Sequence, residues 1–364
     1  MNYPILYQWS EKIATQLKSL NTWQVENVAL FSHGVIKAES CQQQQIARQV
    51  ACGERVESAA RRLRRFLDNE AFPLAAFFEE WTRWVVSSLP EGEVYLLVDE
   101  TKLGDRIGVM VVGVAWEGRS IPLAWRSYRA NCAEAYPAEG QVKLIEDLLK
   151  QVQKGIPTQR TVIVLADRGI GPSPDLCRAI DAMGWCYLFR VTRKCKICTE
   201  QGDFTIADMV QEGELWTASG KIFRKRGRLP AHAHAIWSVG YDEPWALVTN
   251  YANLTGYEYG YRNWEEQGFR DLKSGGWQWG ASRIRHPDHM DRLLVILVLA
   301  YAWILALGGL AVRAGRAHPL HVCQDGHRRR HWSLFKEGLQ FFVEVIQRVN
   351  VCPELVFVPD TRFT

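Results

Sequence analysis

The chain lacks most features that would sort it quickly into a class. It has no strong excess of one charge: 44 lysines and arginines face 40 acids, a formal net charge of +4. So small an excess permits a polyanionic partner without demanding one. It has no cysteine framework either. The nine cysteines are odd in number and irregularly spaced, which argues against a disulfide-stapled secreted fold and for free thiols in a reducing cytoplasm. Internal repeats and low-complexity tracts are absent, and 47% apolar with 23% charged residues excludes a disordered or collagen-like chain. The opening MNYPILYQWSEK has no basic start followed by an apolar stretch, so no signal peptide is expected. At 364 residues the chain is too long for one small domain and points to two or three.

One long apolar run is present. Residues 293–312, LLVILVLAYAWILALGGLAV, carry no charge and are long enough to cross a bilayer. A helix buried on nearly all sides gives the same sequence, and Gly308 and Gly309 would let it pack closely. The run has few anchoring features at its ends, so the buried helix is the expectation and no membrane partner is assigned.

Residues 1–90 read as helical, with Val25, Val28, Ala29, Leu30 and Phe31 near helical spacing and a break at Asn69 and Pro73. Between 46 and 66 stand Arg48, Arg55, Arg61, Arg62, Arg64 and Arg65 against Glu54 and Glu57. Clustered arginines on short helices suit a DNA-binding domain, and a solvated helix face gives the same pattern. From 94 the period changes. VYLLVD (94–99), 107–116 and 120–128 read as a β-meander with Glu117-Gly118-Arg119 at a tight turn. An amphipathic helix over 139–153, a strand at 161–166 and a helix over 173–184 follow. That last helix has Ser173 as N-cap, Pro174 at N1 and Gly184 closing it; a strand at 185–191 comes next. Residues 192–250 are strand-like, helical period returns from 257 to about 312, and 313–364 form a C-terminal tail. Three leading strands, then alternating helices and strands, then a β-rich stretch before a final helix, make an α/β plan of ribonuclease-H-like type. Its core would occupy 91–191 and 251–312, with a β-strand insertion at 192–250 and the helical DNA-binding domain at 1–90 in front.

Asp99 and Asp167 each end a core strand, and in such a sheet the two strands are neighbours. Converging carboxylates repel, and a divalent cation removes the conflict. Taken singly, either aspartate reads better as a turn residue. Over 257–273, read as one helix, Tyr259, Arg262, Glu266 and Lys273 fall within an arc of about 60° at ~100° per residue. Tyr261, Trp264, Phe269, Leu272 and Glu265 fall on the other side, which makes Glu266 the better metal ligand and sends Glu265 toward protein.

These residues resemble a known family. Tyr259-x2-Arg262-x3-Glu266-x6-Lys273 matches the Y-R-E-K motif of DDE transposases of bacterial insertion sequences, of the insertion-sequence-four type. Asp99-Glu100-Thr101 looks like its first-acid motif and Asp167-Arg168-Gly169 like its second; the likeness covers about 94–280, and the N-terminal stretch looks like the short members of the group. The resemblance implies a DNA transposase that binds terminal inverted repeats, cleaves phosphodiester bonds and joins 3′-OH ends to target DNA. Asp99, Asp167 and Glu266 would hold two Mg²⁺ ions, with Mn²⁺ as substitute. Tyr259, Arg262 and Lys273 would grip end phosphates, and Trp245, in Trp245-Ala246-Leu247-Val248-Thr249, would stack on a flipped base. Trp237 and Trp216 are the other candidates for that role. The implied partners are double-stranded DNA, as transposon ends and target, and a second copy in a homodimeric end complex, all in the bacterial cytoplasm. The rival readings are a catalytically silent, transposase-derived DNA-binding protein and a nuclease without strand transfer.

Weaker signals are a Cys195-x2-Cys198 pair with His232 and His234 as a zinc set, a basic stretch of Lys221, Arg224, Lys225, Arg226 and Arg228, and His327-Arg328-Arg329-Arg330-His331 in a late loop.

Overall fold

The structure is a computed structural model that describes residues 4–51, 53, 55–132, 136–170, 173–223, 227–323, 328–360 and 362. Cys52, Glu54, Arg224, Lys225, Arg226 and His327 lie outside the described residues.

Five helices come first: α1 (Pro4–Gln16), α2 (Thr22–Ala38), α3 (Gln43–Val50), α4 (Val56–Leu67) and α5 (Leu74–Ser88). The expected break is real, with Pro73 as N-cap of α5. In α4 the buried Ala59, Ala60, Leu63, Phe66 and Leu67 form one face and Arg61, Arg64 and Arg65 lie exposed on the other.

The meander follows as β1 (Val94–Leu103), β2 (Ile107–Trp116) and β3 (Arg119–Arg129). β1 runs four residues beyond the expected end at Asp99, because β2 pairs with it as far as Leu103. Glu117 and Gly118 both have positive φ, 45° and 85°, the backbone that a two-residue hairpin needs to match strand twist. Next come α6 (Gly140–Gln153), β4 (Val162–Ala166), α7 (Pro174–Ala182) and β5 (Cys186–Arg190). Ser173 caps α7 through the Leu176 amide with Pro174 in the first turn, and Gly184 is left-handed at 72°.

Residues 192–250 supply β6 (Lys196–Thr199), β7 (Gly202–Thr205), β8 (Leu215–Ile222), β9 (Leu229–Ile236) and β10 (Trp245–Thr249). They do not form a separate sheet. β10 pairs antiparallel with β5, so all ten strands join in the order β3-β2-β1-β4-β5-β10-β9-β8-β6-β7. Only β1–β4 and β4–β5 are parallel; the rest pair antiparallel. The chain is thus α/β, with a large mixed sheet and helices at both ends.

The expected helix over 257–273 and onward to 312 is not continuous. Tyr257–Arg262 is a 3₁₀ helix, α8 spans Asn263–Leu272, a second 3₁₀ turn lies at Trp279–Ser282, and α9 (Pro287–Arg313) begins at a proline. The paired Gly275 and Gly276, and then Pro287, interrupt the period, which a count of apolar positions does not register.

α9 is the helix of the apolar run, and 94% of its most apolar window is buried inside the protein. α1, α2, α4, α5, α6 and α9 share one apolar cluster. Trp9 stacks on Trp303 at 4.6 Å and gives its indole N–H to Ser32 Oγ at 2.9 Å. The stretch expected as a tail folds back as the hairpin β11 (Leu320–Val322) and β12 (Arg328–Arg330) and helix α10 (Leu334–Phe341), which packs on α9. Glycines make that crossing close. A Cβ on Gly338 would stand 1.9 Å from Ile304 O, and one on Gly308 2.0 Å from Leu334 O. Backbone cannot retreat as a side chain can. Gly338→Ala is therefore expected to cost about 1–3 kcal/mol, in the range of overpacked cores, measured by urea unfolding. An unchanged midpoint would mean that α10 is not seated on α9.

Candidate active site

The site is built where the parallel pair β1–β4 ends. Val98 pairs with Ala166, so Asp99 and Asp167 are the next residues out on adjacent strands. The segment 257–272 crosses in front of them. Arg262 fixes the geometry: its Nη2 lies 2.9 Å from Asp99 Oδ2 and 3.4 Å from Asp167 Oδ2, and its Nη1 lies 2.5 Å from Glu266 Oε1. Asp99, Asp167 and Glu266 thus meet around one guanidinium. Asp99 and Arg262 are mostly buried, whereas the Glu266 side chain is 62% exposed.

The alignment expected from a single α-helix arises differently. In the 3₁₀ turn, residues three apart eclipse, which places Tyr259 over Arg262. In α8, residues four apart are neighbours, which brings Glu266 beside Arg262. Tyr259 is not exposed along a stripe. Its ring is buried and meets Trp245 edge-on at 5.2 Å. Trp245 is half-buried at the start of β10, and Trp237 gives its N–H to Tyr241 O at 2.7 Å. Lys273, at the C-cap of α8, donates to Thr101 Oγ1 at 2.6 Å; Thr101 lies two residues beyond Asp99 and so on the same face of β1.

Each aspartate is held by backbone as well. Asp99 Oδ1 accepts from the Glu100 amide at 2.9 Å, and Asp167 Oδ1 accepts from the amides of Gly169 and Ile170 at 2.8 and 2.9 Å. Even so, burial pushes Asp99 up to about 6, against the pull of Arg262. Glu265 is fully buried, faces protein as expected, and has no hydrogen-bond partner for either oxygen. Burial, with Asp99 nearby, raises it well above its ordinary value. Arg262 Nε is also buried without a partner.

The donor set suits a hard divalent cation in kind, since carboxylate oxygens are what Mg²⁺ takes. The arrangement, however, is filled by arginine. Among the described residues no three acidic, histidine or cysteine side chains stand ready to hold a metal ion. The same finding disposes of the zinc set: Cys195, Cys198, His232 and His234 do not assemble, and His232 Nδ1 lies 2.8 Å from Ser219 Oγ instead. The eight described cysteines are free thiols.

The N-terminal arginines lie on α4, away from the carboxylates in the chain. Arg62 is engaged by Asn27 Oδ1 at 2.7 Å and Glu26 at 3.6 Å, whereas Arg61, Arg64 and Arg65 are exposed. Lys221 and Arg228 flank one β8–β9 turn, and Arg330 in β12 is tied to Glu117 and Asp360.

One residue near the site escaped the sequence. Glu243 joins Arg168 at 2.9 Å to Arg190 at 2.6 Å, and as a loop residue it carries no periodic signal. Thr101 was already part of the first-acid motif, and its period-two spacing from Asp99 puts it on the same face of β1. No protein-family model matches the chain, and no curated protein matches it.

Proposed function

We propose that the protein is a metal-dependent DNA transposase with a ribonuclease-H-like core. It would bind the ends of a mobile element, cleave the phosphodiester there and join the freed 3′-OH to target DNA. The observation that carries the reading is the meeting of Asp99, Asp167 and Glu266, from three separate elements, around one positive charge. The β3-β2-β1-β4-β5 order, with β1, β4 and β5 parallel, supports the core assignment.

In this reading Asp99, Asp167 and Glu266 would hold Mg²⁺. Two such ions supply positive charge to the attacking and leaving oxygens of an in-line displacement. The chain's own residues do the rest. The Gly169 and Ile170 amides orient Asp167. The Glu100 amide and Arg262 orient Asp99. Lys273, held at Thr101, places a cation two residues along β1 from Asp99. Arg262 offsets part of the carboxylates' charge in the free protein and would turn to a DNA phosphate once they take metal, because a guanidinium and a divalent cation cannot share the same oxygens at contact distance. Trp245 would stack on an unpaired base after leaving Tyr259.

The test uses duplex DNA carrying the sequences that flank the chain's own gene. With Mg²⁺, the protein is expected to nick those ends, and Asp167→Asn is expected to bind them without nicking. Binding without nicking by the unaltered chain would favour the silent DNA-binding reading, which the arginine-filled carboxylates also fit.

A further inference from the structure

The C-terminal end of α4 and the first turns of α9 are distant in sequence and tied together. Asp68 Oδ1 lies 3.2 Å from His289 Nε2, and Arg292 donates to Leu67 O. Between them opens a cavity of about 290 Å³ lined by Arg64, Asp68, Arg283, Arg285, His286 and His289. Arg64, Arg283 and Arg285 are exposed and have no ion-pair partner among the described residues. Asp68 is the one acid lining the cavity among those residues, and His289 already engages it.

The arrangement is held in place. Ile284, between the two arginines, is buried, and Trp279 gives its N–H to Met290 Sδ at 2.9 Å. The Cys41 amide donates to Trp277 O at 2.6 Å, tying the segment to the N-terminal helices. Three like charges fixed around so small a space repel one another, and an anion relieves them. Guanidinium forks match phosphate oxygens two at a time. The first turn of α9, which has no side-chain cap, adds partial charge of the same sign, offset in part by Asp288 in that turn.

We infer that this pocket holds a backbone phosphate of duplex DNA. The inference rests on the DNA reading above and adds to it: the arginines of α4 and the 283–286 segment form one contact surface. The test is fluorescence anisotropy of a duplex with the full chain between about 50 and 200 mM salt. Arg64→Gln/Arg285→Gln is expected to shrink the log–log salt slope by about 0.9, the contribution of one phosphate contact. Arg64→Lys/Arg285→Lys should keep most of the slope. Arg83→Gln/Arg178→Gln, which removes two exposed cations elsewhere, should leave it within error. If the glutamine pair does not fold, Arg283→Gln alone should lower the slope by up to about 0.9. An unchanged slope in a folded pocket variant, or an equal loss in the Arg83/Arg178 control, overturns the pocket and leaves the DNA reading standing. A wild-type chain that fails to bind duplex DNA at low salt overturns both.

Discussion

Glu266→Gln is expected to lower Mg²⁺-dependent nicking at least ~10³-fold, which is about 4 kcal/mol of lost transition-state stabilisation at ~1.4 kcal/mol per factor of ten. Binding of the ends should change little, because the side chain is exposed and touches Arg262 rather than the sheet. The neighbouring residue sharpens the comparison. Glu265 is buried and without hydrogen-bond partners, and burial disfavours its charged form, so Glu265→Gln puts an uncharged amide of the same shape in its place. It should fold and should keep nicking within about tenfold of wild type. Single-turnover nicking of the two variants, with end binding measured in parallel, decides between them. The reverse result, with Glu265→Gln silent and Glu266→Gln active, would move the third acid by one residue and turn the site inward.

Arg262→Gln should have two effects of opposite sign. In the metal-free protein it strips the shared partner from Asp99, Asp167 and Glu266. Removing one member of a buried charged set costs about 3–5 kcal/mol. Asp167 and Glu266 are partly in water, so the lower end of that range applies, about 3 kcal/mol. Added Mn²⁺ or Mg²⁺ should then stabilise the variant more than the wild type, because no guanidinium competes for the oxygens. Thermal unfolding with and without metal gives both numbers in one series, and it does so without any cleavage assay. A variant as stable as wild type, with no larger metal shift, would show that Arg262 is neither the counter-charge of the free protein nor a competitor for its cation.

Much of the local structure was legible because it depends on neighbours in the chain. The cap at Ser173, the turn at Glu117–Gly118, the apolar face of α6 and the burial of α9 follow from side-chain chemistry within a few residues. The spacing of Arg262 and Glu266 placed them together for the same reason. The reading failed where a distant partner decides. β1 continues past Asp99 because β2 extends along it, and the 192–250 strands lengthen the core sheet because β10 finds the free edge of β5. Neither edge is encoded within its own segment.

The sequence by itself pointed to an α/β chain and to a core helix in its apolar run, and the resemblance grouped Asp99, Asp167 and Glu266. Tertiary structure alone decided what surrounds them. It buried Tyr259 against Trp245, set Arg262 among three carboxylates, buried Glu265 without a hydrogen-bond partner and brought Arg64 to Arg283 and Arg285. The physical reason is range. Helical period and capping act over one or two turns, whereas desolvation and charge pairing depend on every group within a few ångströms, whichever part of the chain supplies it.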